Sequence, residues 1–174
     1  MSIFDKLIGK SDIKSEKTSE KRLDIDKLLL SENKNNSIIE IDNYICELCD
    51  WGEKLDSLTE EQKNFFFNQN LEREINNGGF IQYFYNSSGD FAHETINSLK
   101  IIGANKTANI LQKAIDQFPD KTVPRNRTER QEILEKIEET VSEIFEELDE
   151  KFFVYEDDLN TLNIEFVRQN KDKF

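Results

Sequence analysis

The chain has 174 residues, with 36 acidic and 23 basic side chains, one histidine and a formal charge of −13, a length suited to one domain. Two cysteines and a single histidine argue against a four-ligand zinc site, and no apolar run reaches the roughly 18 residues of a membrane helix. A pI near 4.6 argues against nucleic acid as a direct partner, since carboxylates and phosphates repel.

No signal peptide opens the sequence, so the expected location is the cytoplasm. Residues 1–37 read as a polar N-terminal tail and linker with room for a short helix. A short apolar group (Ile3, Phe4, Leu7, Ile8) is expected to form a frayed turn. Leu28–Leu30 lie ahead of a loop at residues 31–37. From Ile38 the period becomes helical, through Ile41, Ile45 and Leu48, with Trp51 and Leu55 extending the stripe. Thr59 and Gln62 form a capping box that opens a helix through Phe65, Phe66, Leu71 and Ile75. Asn77, Gly78 and Gly79 are expected to end it. An aromatic stretch, Phe80–Tyr85, stops at Asn86, Ser87, Ser88 and Gly89. Asp90 is placed to cap the next helix (Phe91, Thr95, Ile96, Leu99), and Gly103 separates that helix from another (Ala104, Ala108, Leu111, Ile115). Pro119 and Pro124 bracket a loop. Thr128 with Gln131 is a second capping box, followed by Ile133, Leu134, Ile137, Val141, Ile144, Phe145 and Leu148. Asp157 or Asp158 caps a last helix with Leu159, Leu162, Phe166 and Val167. No strand-like alternation competes with these patterns. The expected fold is all-α: one globular domain of about seven helices over residues 38–174, behind a flexible N-terminal tail.

Little in this pattern suggests catalysis. Cys46 and Cys49 form a C-x-x-C, but in mid-helix and beside Glu47 and Asp50, where nothing lowers a thiol pKa. His93 is the only imidazole, and Glu94 points about 100° away from it on a helix, so a triad with Ser87 or Ser88 lacks its orienting acid. Neither a phosphate-binding glycine loop nor a calcium loop is present. The chain is therefore expected to be non-enzymatic, with no catalytic residue, metal or cofactor.

The charge is concentrated. Residues 129–158 hold 13 acids and three bases, a local charge of −10. On one helix, Glu132, Glu135, Glu139, Glu143, Glu146 and Glu150 follow at spacings of three and four, which aligns them in one row. At about 1.5 Å of rise per residue, 13 carboxylates over this segment average one per ~3.5 Å, against a phosphate every ~3.4 Å along one DNA strand. Such a surface attracts a basic DNA-binding protein through long-range steering.

The stretch from Asn77 to Asp90 (NGGFIQYFYNSSGD) resembles a bacterial family typified by acidic DNA-mimic proteins. Ile102-Gly103-Ala104 with Ala108 and Phe118-Pro119 fit the same pattern. So does Glu147-Leu148-Asp149-Glu150-Lys151-Phe152-Phe153, which leads into Tyr155-Glu156-Asp157-Asp158-Leu159. The similarity covers residues ~40–170. It implies an all-α, non-enzymatic protein whose carboxylates imitate DNA phosphates on the DNA-binding surface of a transcription factor, and it implies a homodimer. The phosphate-mimicking glutamates are not part of the matched motif, so the acidic row stands on its spacing alone. Small, acidic and helical is equally the description of an immunity protein that plugs a basic nuclease toxin. Within the motif, Asn77, Gly78 and Gly79 allow a sharp turn, and Phe80, Tyr83 and Phe84 fill the core. Gln82, Asn86, Ser87 and Gly89 belong to a loop whose polar side chains either satisfy backbone groups or line a pocket.

Overall fold

The computed structural model describes residues 23–174, among which seven α-helices form and no strand. The helices are α1 (Ile25–Leu29), α2 (Lys34–Leu48), α3 (Glu60–Tyr85), α4 (Ala92–Ile101), α5 (Asn105–Ile115), α6 (Arg127–Phe153) and α7 (Leu159–Gln169). The expected all-α architecture is thus borne out. The apolar group at Ile3–Ile8 lies outside the described residues.

Side-chain caps begin five of these helices. Asp24, Asn33, Thr59, Asn126 and Asp158 each accept a backbone N–H from the first turn, and Thr59 with Gln62 forms the full reciprocal box. Two of the positions differ from expectation. Asn33 starts α2 inside the segment expected as a loop, and Asn126, not Thr128, opens α6 by accepting from Glu129. Asp90 caps nothing, because a charged partner described below claims its carboxylate. At the far end of α2 the helical stripe breaks. Asp50, Trp51 and Gly52 all have positive φ (52°, 57° and 104°), so Trp51 does not extend the buried face and is 64 % exposed.

Gly78 and Gly79 bend α3 and do not end it. Gly79 sits at φ 70°, ψ −169°, a region open essentially to glycine alone. The helix resumes at Phe80 because the Asp149 carboxylate of α6 accepts the Phe80 N–H at 2.9 Å, replacing the helical partner that the bend removes.

α3 runs through both hydrophobic clusters. Its first half contributes Phe65, Phe66 and Phe67 to a cluster with Ile25, Leu28, Ile38, Ile41 and Ile45 of α1 and α2 and Ile164 and Val167 of α7. Packing therefore extends N-terminal of residue 38. The second half places Phe80, Tyr83 and Phe84 in the larger cluster, against Leu99, Leu111, Leu134, Phe145 and Leu148. Phe84 meets Phe118 edge-on at a centroid distance of 4.8 Å and Phe145 at 5.8 Å, geometries that favour aromatic pairs.

Candidate functional site

α6 positions the acidic row. Leu134, Val141, Phe145, Leu148 and Phe152 bury one stripe of this helix, which turns Glu132, Glu135, Glu139, Glu143, Glu146 and Glu150 outward. All six are exposed. None forms an ion pair among the described residues, whereas neighbouring Glu147 lies 3.5 Å from Lys151.

Not every acid of this segment is available to a partner. Asp149 serves the α3 bend. It is half-buried, and that burial pushes its carboxyl up to about 6, with the charge of Glu146 adding to the effect and the Phe80 N–H opposing it. Glu156 pairs with Lys106 at 2.5 Å. Asp157 accepts from both the N–H and the hydroxyl of Thr107 at 2.8 and 3.1 Å, closing the N-terminus of α5. Asp158 caps α7, and hydrogen bonds from Thr161 hold its carboxyl below the usual range. Removing these four leaves nine glutamates from Glu129 to Glu150. At about 1.5 Å per residue they span ~32 Å with a mean spacing of ~4 Å, slightly sparser than the estimate over the whole segment.

The glycine-aromatic motif builds a second polar centre, around Glu74 of α3. Gln82 and Asn86 each donate to its Oε2 at 2.8 Å, and Ser88 donates to Oε1 at 3.1 Å. The motif's amides thus serve a carboxylate and not the loop backbone. Ser87 is exposed beside them, as are Asn77 and Gly78 at the bend.

The backbone of the loop is held by Arg130. This side chain is fully buried and uses all five of its N–H groups. Nε donates to the Phe84 carbonyl at 2.6 Å, and Nη1 to the Pro124 and Arg125 carbonyls at 2.7 and 3.2 Å. Nη2 donates to the Asn86 carbonyl at 2.8 Å and to Asp90 at 2.5 Å. Gly89 is what admits the guanidinium, since a Cβ there would stand 2.7 Å from Nε and 3.0 Å from the Phe84 backbone.

Sequence reasoning missed both hubs. Glu74 has no spacing signal, because its three partners lie beyond the bend. Arg130 had one: it precedes Leu134 by four residues on the apolar stripe of α6, a position where a base is out of place unless it is buried and paired.

The remaining candidates stay apart. His93 is exposed and its Nε2 accepts the Val123 N–H at 3.3 Å, while Ser88 is committed to Glu74. Cys46 and Cys49 are buried, unbridged thiols. Burial, and secondarily the Asp42 charge, pushes Cys46 up to about 12, and burial raises Cys49 as well, which opposes thiolate chemistry. No helix among the described residues is long and apolar enough to cross a membrane, and no group of three or more potential metal ligands occurs among them.

Searches among curated proteins and among solved structures returned no match. A family model described as DMP19-like protein matches residues 56–170, from the turn before α3 to the end of α7, and so takes in the bend, the Glu74 and Arg130 hubs and the acidic helix. With well over half of its length in that match, the chain belongs to the DMP19-like protein family.

Proposed function

We propose that this chain is a non-enzymatic, cytoplasmic binding protein of the DNA-mimic type, which presents the glutamates of α6 to the DNA-binding surface of a basic protein such as a transcription factor. The observation that carries this reading is the exposed row Glu132, Glu135, Glu139, Glu143, Glu146 and Glu150, free of ion pairs among the described residues. Family membership supports the mimic type, and the ~4 Å mean axial spacing of glutamates along α6 is of the same order as the ~3.4 Å phosphate repeat of one DNA strand. A row of this kind acts by displacing counterions and steering a basic surface toward it, so affinity falls steeply with salt.

Affinity capture from native lysate at low and high salt tests the proposal. The expected result is a DNA-binding protein that elutes on raising the salt and is displaced by duplex DNA. Reversing Glu139, Glu143 and Glu146 to lysine together should abolish the capture. Unchanged capture by that triple variant would overturn the reading.

A further inference from the structure

A cleft of about 330 Å³ lies beside the first half of α3, within the size range of pockets that hold one small ligand. Trp51, Phe66 and Phe91 line it, and Trp51 is largely exposed. Its charges are unevenly matched, and Glu53 stands exposed among the lining residues. Arg73 lines the cleft and is paired with Asp42 at 2.5 Å, and Asp90 lines it and is paired with Arg130 at 2.5 Å. Glu74 has no cation partner among the described residues. Its three hydrogen bonds come from neutral donors, which fix the carboxylate in place and leave its charge uncancelled.

A positioned carboxylate among aromatic side chains is an arrangement that recognises a cation. The carboxylate takes a charge-assisted hydrogen bond, and the ring faces attract positive charge and cover the attached methylenes. We propose that this cleft binds one alkylguanidinium or alkylammonium chain, with its head on Glu74 and its stem against Trp51. The site is separate from the acidic row of α6 and does not depend on the function proposed for that row.

Trp51 is the only tryptophan of the chain, so its fluorescence reports on the cleft directly. The full chain is titrated with agmatine, with a short blocked peptide containing one arginine, and with neutral N-butylurea as a size control. Agmatine or the peptide should change the emission saturably, with half-saturation at about 1 mM or below, and N-butylurea should not. Response to agmatine alone identifies a free small cation as the ligand, and response to the peptide alone identifies a side chain of another protein. Glu74→Gln should weaken binding at least about tenfold. Because Glu74 also holds the loop, Trp51→Leu followed by calorimetry supplies a second variant that leaves the Glu74 hydrogen bonds in place, and it should weaken binding too. The lysine-reversed α6 variant should bind agmatine as the natural chain does. Absence of a saturable response to both cations, an equal response to N-butylurea, or full binding by folded Glu74→Gln would overturn the proposal.

Discussion

Arg130 does for the loop at residues 86–91 what no local hydrogen bond can do. It joins α6, the Pro124–Arg125 segment and the loop through four carbonyls and one carboxylate. A lysine offers three donors from a single point and cannot span that arc. Arg130→Lys should therefore lose about 3–5 kcal/mol, the range for a buried charge whose partners are stranded, measured as a fall in the urea midpoint. A loss below about 1 kcal/mol would mean that the loop is held by other contacts. At this scale the apolar residues were legible and the polar ones were not. Phe80, Tyr83 and Phe84 declare their burial by type. Glu74 and Arg130 look like surface residues, and their importance comes from partners on other elements.

Helix starts were mostly legible because a cap is a local event between residues three apart. Thr59 and Asp158 were found this way. Asn126 was missed because two overlapping signals, Asn126 with Glu129 and Thr128 with Gln131, compete for one helix end. The α3 bend was misread as a stop for a different reason: the carboxylate that restarts the helix lies 69 residues downstream. This cap has a pH signature. The folded-state pKa of Asp149 is raised, so between about pH 4 and 6 the folded chain holds a proton that the unfolded chain has lost, and stability contributed by this group falls as pH rises through that window. Asp149→Asn keeps an acceptor for the Phe80 N–H and carries no charge. The natural chain should thus lose melting temperature relative to Asp149→Asn as pH rises from 4 to 7. A constant difference between the two across that range would show that Asp149 titrates normally.

For the molecule as a whole, the charge that serves binding works against folding. Like charges three and four residues apart destabilise a helix by a few tenths of a kcal/mol per pair, and α6 is long enough to accumulate many of them. Stability should accordingly rise as salt screens the row, seen as a higher melting temperature between low and about 0.5 M salt. The lysine-reversed α6 variant should be as stable as the natural chain or more so, with a smaller salt response. A destabilised variant would mean that the row holds the fold together. Composition and periodicity made the all-α class legible at this scale. They did not show that one helix threads both hydrophobic clusters, because that depends on which distant helices meet Phe65–Phe67 on one side and Leu71, Ile75, Phe80 and Phe84 on the other.

The connection after α6 has a mechanical consequence. Tyr155, Glu156, Asp157 and Asp158 follow one another, and their side chains reach Asn76 of α3, Lys106 of α5, the backbone of Thr107 and the first turn of α7. Four successive residues with four destinations leave the joint no slack: one inserted residue would misdirect every tie beyond it and unseat α5 and α7 together. The acidic helix is thereby clamped near its C-terminal end as a stiff bar, and its charges keep fixed intervals as the graduations of a ruler do.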